Sequence, residues 1–425
     1  MKVLLVTFYF PPAGGGGVQR PLKFATHLPA LGVETHVLAP DDPRWIHTDA
    51  EERPPTQAWV HRVRYLGPSG RRPAEELHGT AGLERASKQV QLFGRRLLVP
   101  DENVGFGLTA APAAIRLVKE HGIDVVMTTS PPNSIHLIGA AVKRATGVGW
   151  VADLRDSLTQ NPHRRYESTA VRLKEKGAAL VARTVARTAD AIVGASGAIA
   201  EEARGLDPRC EVVTIANGCD YDDFSGLEYH AGDRFRITHT GSFFGQRDPR
   251  PFLQAVYDSG LDIQCRFVGG FRSADREWAE ELGLGARLEV IEHVPRREAL
   301  ALQRDSEALL LLIPEAEGRG KGILSGKVFE YLAAERPIVA AVPPDGEAAR
   351  LIREVGAGVV SAPDDVGTLR ASLEGLEARW RAGKLGGTPL STEQRDRLDR
   401  RARAQELADL LWKVASAKSA KPSDE

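Results

Sequence analysis

Short apolar runs alternate along this chain with longer stretches whose apolar residues recur every three or four positions. The first kind of pattern predicts buried strands, and the second predicts helices that bury one face. Val3–Thr7 is the first such run. The loop Pro11-Pro12-Ala13-Gly14-Gly15-Gly16-Gly17 follows it, and a helix carries Val18, Leu22, Ala25 and Leu28 on one side toward Gly32. Val33–Ala39 is the next strand. The alternation then becomes regular, with helix Leu108–His121, strand Ile123–Thr128, helix Ser134–Thr146 and strand Gly149–Leu154. Helix Ala170–Thr188, strand Asp190–Gly194, a short helix from Ser196 and strand Glu211–Ala216 complete the first half. Asn217-Gly218 marks a turn, and the polar segment to Asp233 reads as a linker. A second unit starts at strand Phe235–Thr240. A helix from Pro249, strand Ile263–Val268, a helix around Trp278, strand Leu288–Ile291 and a helix from Pro295 come next. Strand Ile338–Val342, helix Glu347–Val355 and long helices at Val366–Arg381 and Thr392–Ala415 close the pattern. Strands alternating with helices predict parallel sheets covered on both faces, with ligands beyond the carboxyl ends of the strands.

One stretch in the second unit carries the most chemistry. The apolar run Ala308–Ile313 stops at Pro314, and a polar, Gly-rich loop runs from Glu315 to Gly322. A helix then opens at Ser325-Gly326-Lys327, with Val328, Phe329, Tyr331 and Leu332 at helical spacing. A helix start offers unpaired N–H groups and a positive dipole end, which suits a phosphate. Glu330, about one turn further in, could accept hydrogen bonds from the vicinal hydroxyls of a ribose. Taken alone, the same residues describe a helix N-cap, a solvated lysine and a surface acid.

Composition narrows the field. With 425 residues the chain is long enough for two to three domains, and 42% hydrophobic content supports real cores. A formal net charge of −1 excludes a strongly basic nucleic-acid binder. The three cysteines, Cys210, Cys219 and Cys265, have neither metal spacing nor an even disulfide count, which predicts a reducing, cytoplasmic setting. The apolar start is too short for a signal sequence and is followed at once by Pro11-Pro12. The Gly15–Gly17 loop lets backbone approach a ligand, but its spacing departs from the dinucleotide fingerprint because Arg20 stands where a glycine would. Asp41 and Asp42 after the second strand keep a nicotinamide site in play. Two further loops are chemically loaded: Thr128-Thr129-Ser130-Pro131-Pro132-Asn133 and Asp153-Leu154-Arg155-Asp156-Ser157. In the latter, a buried Arg–Asp pair holding the loop competes with a catalytic reading.

Tyr9-Phe10-Pro11-Pro12-Ala13-Gly14-Gly15, Asn217-Gly218, Gly241-Ser242-Phe243 and Ser325 to Ala333 together resemble family-4 glycosyltransferases of the GT-B fold. Thr129-Ser130-Pro131-Pro132 and Val151 to Asp156 are similar to segments of a bacterial branch of that family. The resemblance implies two facing Rossmann-like domains. An acceptor domain would span residues 1–222 plus a C-terminal helix at about 392–416, and a donor domain residues 223–391, with residues 417–425 a disordered tail. It implies retention of anomeric configuration and a nucleotide-diphosphate sugar of UDP or GDP type as donor substrate, with no metal or other cofactor. Arg247, Lys327 and the Ser325 and Gly326 amides would neutralise the departing diphosphate. Gly15, Gly16, Gly17, Gly241, Ser242 and Val294 would complete donor binding, and Glu330 would hold the ribose. Asp153 or Asp156 would orient the acceptor hydroxyl, and Arg155 would steady either acid or the donor. Relatives often carry a further glutamate eight positions before the ribose glutamate, where this chain has Gly322. Ser242 replaces a frequent arginine, and Arg247 matches a frequent lysine. The acceptor is expected to be a glycan or a lipid-linked sugar. A helix over Leu83–Leu98, with Arg85, Lys88, Arg95 and Arg96 opposite an apolar stripe, either buries that stripe on its own core or rests on the inner face of the membrane. The rival readings are a nucleotide-sugar epimerase of the same fold, a nicotinamide oxidoreductase and a non-catalytic binding protein.

Overall fold

The structure, a computed structural model, describes residues 1–41, 48–68, 94–95, 98–159, 169–243 and 245–419. It divides into two units. The first comprises Met1–Ile215 and Ala404–Glu425, the second Ala216–Arg403. The expected amphipathic helix over Leu83–Leu98 lies almost entirely outside the described residues. Among those described, no helix is long and apolar enough to cross a membrane.

The first unit is built on a seven-stranded sheet in the order β3-β2-β1-β4-β5-β6-β7. Its strands are β1 (Lys2–Thr7), β2 (Glu34–Pro40), β3 (Trp59–Val63), β4 (Val125–Ser130), β5 (Gly149–Leu154), β6 (Ala191–Gly194) and β7 (Glu211–Thr214). All neighbours pair in parallel, and β1, β4 and β5 are almost wholly buried, as expected where helices cover both faces. Helices α1 (Gly16–His27), α2 (Phe106–His121), α3 (Ile135–Thr146), α4 (Thr169–Thr188) and α5 (Gly197–Arg204) connect the strands. Val18, Leu22 and Ala25 of α1, and Leu28 just after it, are buried in the core of the first unit, as the spacing predicts.

The second unit has a six-stranded parallel sheet in the order β10-β9-β8-β11-β12-β13. Its strands are β8 (Phe235–Thr240), β9 (Ile263–Val268), β10 (Leu288–Ile291), β11 (Ala308–Leu312), β12 (Ile338–Ala341) and β13 (Gly358–Ser361). The helices in chain order are α6 (Arg250–Ser259), α7 (Ser273–Glu281), α8 (Arg296–Arg304), α9 (Gly326–Ala334), α10 (Glu347–Val355), α11 (Val366–Arg381) and α12 (Thr392–Leu398). In both sheets the order reverses beside the first strand, between β1 and β4 and between β8 and β11. Such reversals open a crevice at the strands' carboxyl ends.

Three elements differ from expectation. The edge strands β3 and β13 were not foreseen. The first reads Trp-Val-His-Arg-Val and the second spans only four residues, so neither shows a buried apolar run. The single helix expected over Thr392–Ala415 is two, α12 and α13 (Arg400–Ser419), broken at the extended Asp399. The break is set by pairing. Cys219 N–H donates to Leu398 O at 2.7 Å, and Arg400 N–H donates to Cys219 O at 3.0 Å, so strand-like bonds replace a helical turn. From Ala404 onward, α13 buries Leu407, Ala408, Leu410, Leu411 and Val414 in the core of the first unit. It continues to Ser419, and Lys418 pairs with Asp190 at 3.1 Å.

Candidate active site

In the second unit the crevice is visible as an interrupted ladder. Between β8 and β11, pairing is limited to Ala308 with Ile237 and Leu309 with Thr238. Beyond it, side chains take over the carbonyls of β11. His239 Nδ1 bonds Leu310 O at 2.8 Å, and Arg247 Nε donates to Leu312 O at 3.2 Å. A carbonyl only accepts, so His239 carries its proton on Nδ1 and presents the Nε2 lone pair. Lys327 Nζ lies 3.5 Å from that Nε2. Burial, together with the Lys327 and Arg247 charges, keeps the imidazole neutral and its pKa well below the histidine range. Burial first, then the Arg247 guanidinium, likewise holds the Lys327 pKa well below the usual lysine range, with Glu330 opposing. Two basic groups set near each other, Arg247 buried and Lys327 half-buried, favour an arriving anion.

The backbone there is shaped for close approach. Gly241 has φ 109°, and a Cβ on it would stand 2.5 Å from Lys327 Nζ. Its N–H donates to Val268 O at 2.7 Å, fixing the loop. Ser242 faces Gly270, whose N–H donates to Ser242 Oγ at 3.2 Å, while Ser242 O accepts from Arg247 Nη1 at 3.0 Å. Ser325 occupies the N-cap position of α9, yet its hydroxyl caps no helical N–H. Gly326 is exposed with open space around its Cα, so the first-turn amides remain accessible. The loop before α9 holds three successive residues at positive φ: Ala316, Glu317 and Gly318. For the two non-glycine residues this is strained backbone of the kind that gathers at functional sites. Gly322 closes that segment.

Glu330 is already organised. Arg296 pairs with it and with Asp223, the latter at 3.2 Å, and Gln303 Nε2 donates to Glu330 Oε2 at 3.3 Å. Gln303 also donates to Thr240 Oγ1 at 2.9 Å, and Thr240 N–H donates to the Tyr331 hydroxyl at 3.1 Å. A carboxylate offers about four lone-pair sites, so capacity for further donors remains. Val294 is half-buried in the loop between β10 and α8.

In the first unit, Asp153 is fully buried and fully engaged. Arg20 grips it with Nη2 to Oδ1 at 2.7 Å and Nε to Oδ2 at 3.0 Å, and Thr129 Oγ1 donates to Oδ2 at 2.7 Å. Thr129 and Asp153 are register partners on adjacent strands, so their side chains share a face. Arg20 Nη2 also donates to Ile215 O at 2.8 Å. The buried pair considered from sequence therefore exists, with Arg20 of α1 as the cation in place of Arg155. Arg155 donates instead to three backbone carbonyls, those of Ser130, Gly17 and Pro131. The Gly17 carbonyl is available for a simple reason. Pro21, four residues on, has no N–H to offer it. Gly15 has φ 92° at the N-cap of α1, and Gly15 and Gly16 are exposed. Asp156 is exposed as well.

The structure thus brings Gly241, Ser242, Arg247 and Lys327 together at the end of β8, with Ser325, Gly326 and Glu330 on α9. Gly17, Asp153 and Arg155 meet in the first unit. Sequence reasoning missed Arg20, His239, Arg296, Gln303 and Thr240. A hint lay in the strand Phe235–Thr240, where His239 interrupts an apolar pattern.

Residues 15–218 match the family model described as a glycosyl transferase 4-like domain. No curated protein matches. Among solved structures, the chain is similar to a sucrose-phosphate synthase from Thermosynechococcus elongatus, with TM-score 0.64 and 16% identity over 98% of this chain and 99% of that one. An alpha,alpha-trehalose 6-phosphate synthase from Burkholderia multivorans matches with TM-score 0.64 and 13% identity, covering 98% of each chain. The Anabaena protein HepE in complex with UDP-glucose matches with TM-score 0.62 and 14% identity over 97% of this chain and 100% of that one. The shared architecture is the GT-B fold.

Proposed function

We propose that this chain, whose residues 15–218 match a glycosyl transferase 4-like domain, is a glycosyltransferase that moves a sugar from a nucleotide-diphosphate sugar to a hydroxyl acceptor with retention of configuration. The observation that carries this reading is the cation pair Arg247 and Lys327, gathered where the β8–β11 ladder stops and beside the open start of α9. Breaking a sugar–diphosphate bond leaves a nucleotide bearing new negative charge and a sugar with oxocarbenium character. Fixed donors lower that barrier most when they need no reorganisation. Arg247 is anchored by two carbonyls and Lys327 by His239, so both meet this condition. Glu330, oriented by Arg296 and Gln303, accepts from the ribose hydroxyls.

UDP is the favoured nucleotide, because a protein of the same fold has been solved with UDP-glucose. Gly241, Ser242, Ser325, Gly326 and Val294 line the donor side. Asp156, exposed, orients the acceptor hydroxyl. Asp153 and Arg155 hold the loops that carry it. The acceptor we take to be a growing bacterial cell-surface glycan, free or lipid-linked, met in the cytoplasm at the inner face of the membrane. The diphosphate is neutralised by side chains and amides, so no metal is needed there.

The test is a thermal-shift screen of UDP- and GDP-sugars followed by turnover assays. A UDP-sugar should raise the melting temperature, and Lys327→Ala should abolish the shift. Turnover should persist in excess EDTA. If no nucleotide sugar shifts the protein, or if chelation stops turnover and Mg²⁺ restores it, the assignment is wrong.

A further inference from the structure

At the edge of the first sheet, three histidines from three separate elements converge. His36 lies on β2, His61 on the edge strand β3, and His121 is the last residue of α2. Each offers one ring nitrogen, and the three atoms lie within 4.8 Å of one another. Ring centroids stand 5.3 Å apart for His36 and His61, 4.8 Å for His36 and His121, and 5.5 Å for His61 and His121. His36 is buried, His61 half-buried and His121 exposed, so the cluster opens to solvent on one side.

We propose that this cluster is a binding site for a divalent transition-metal ion of the zinc class, held by His36 Nδ1, His61 Nε2 and a ring nitrogen of His121, with solvent in the fourth position.

The hydrogen bonding around His36 already has the form such a site needs. Its Nε2 lies 3.0 Å from Glu34 Oε1, and its Nδ1 lies 3.0 Å from His61 Nε2. The Glu34 carboxylate only accepts, so Nε2 carries the proton and Nδ1 presents its lone pair toward the cluster. A carboxylate fixing the tautomer of a ligating imidazole is the usual outer partner of metal-bound histidine. Glu34 is in turn set by Lys2 at 3.4 Å. Without metal, His61 Nε2–H donates into the lone pair of His36. An incoming ion takes the place of that proton, and His61 shifts to the tautomer protonated on Nδ1, so its ring stays neutral and no proton is released. Zinc–nitrogen bonds near 2.0–2.1 Å place neighbouring ligand atoms roughly 3.3 Å apart, so the His36–His61 pair opens by only a few tenths of an ångström. His121, exposed at the helix end, makes the larger adjustment. The negative end of the α2 dipole also favours a cation there.

Position decides the role. Glu34 and His36 begin β2, at the end of the sheet opposite the substrate loops, so the metal does not enter the transfer reaction. Strand β3 is short, polar and paired on one side only, with Trp59 largely exposed. A metal bridging β2, β3 and α2 staples this weak edge.

The test uses the full-length chain with any affinity tag removed. Calorimetric titration with ZnCl₂ should show one site. His121→Ala, at an exposed position that leaves the core untouched, should weaken it at least tenfold, and His61→Ala should do the same. Glu34→Ala should cost about 10- to 100-fold, the range typical of outer partners of ligating histidines. Co²⁺ should give the visible absorption bands of a low-coordinate site in the wild type and lose them in His121→Ala. Zinc should raise the melting temperature and leave glycosyl transfer unchanged, which separates this site from the donor site. Equal zinc affinity in wild type and His121→Ala, or no binding at all, overturns the proposal.

Discussion

Single residues in the second unit act through partners that lie far away in the chain. His239 is the clearest case, since its backbone-anchored ring leaves one lone pair, and that lone pair faces Lys327. Replacing it with phenylalanine keeps the contacts with Phe243 and Phe267 but removes the acceptor. A neutral acceptor stabilises the charged lysine, so its loss lowers the Lys327 pKa further. The alkaline limb of the kcat/KM profile should therefore move to lower pH in His239→Phe, with donor KM raised more than kcat is lowered. An unmoved alkaline limb would show that His239 only fills space. At this scale the sequence was informative where a motif was local. Ser325, Gly326, Lys327 and Glu330 sit within two turns of one helix, and their proximity follows from 3.6 residues per turn. The partners of Glu330 and Asp153 were illegible. Arg296 is 34 residues from Glu330, and Arg20 is 133 from Asp153. Nothing in local spacing encodes which cation reaches which acid.

At the scale of elements, α1 and the loop after β5 form one mechanical unit because of a missing N–H. Pro21 leaves the Gly17 carbonyl without its helical donor, and Arg155 supplies one from the loop after β5. Removing Arg155 releases three carbonyls at once. Substituting Pro21 by alanine restores an in-helix donor to one of them. Arg155→Ala should therefore destabilise the Pro21→Ala background less than the wild type. The coupling should be about 1 kcal/mol, the worth of one hydrogen bond. Urea unfolding of the four chains measures this directly, and strict additivity would refute the link. Elements with long apolar faces were read from sequence almost to the residue, and β8, β9, β10 and α11 begin and end where the pattern put them. The failures share a cause. β3 and β13 are edge strands whose residues answer to one neighbour only, and the Asp399 break carries neither Gly nor Pro because its cause is the Cys219 backbone.

For the whole molecule, alternation of strand and helix predicted two parallel sheets, and both are present. Strand order was not legible from periodicity, because order is a property of connections between elements. The division of the chain is more unusual than its sheets. Residues from Ala404 onward lie in the core with Val3, Leu5, Val37 and Val151, which were made some 250 to 400 residues earlier. Leu407, Leu410 and Leu411 alone represent about 2 kcal/mol each of burial, set against a typical net stability of about 5–15 kcal/mol for a domain. A chain ending at Arg403 should therefore lose the cooperative unfolding transition of the first unit while the second keeps its own. Limited proteolysis of the truncated protein would show which half survives. On a translating ribosome the same arrangement means that the first unit emerges early and waits. Its apolar groove stays uncovered through the synthesis of the entire second unit, and only α13, made after that unit, can seal it. A ribosome that stalls before α13 is made would therefore release a protein whose defect lies in a unit begun several hundred residues earlier.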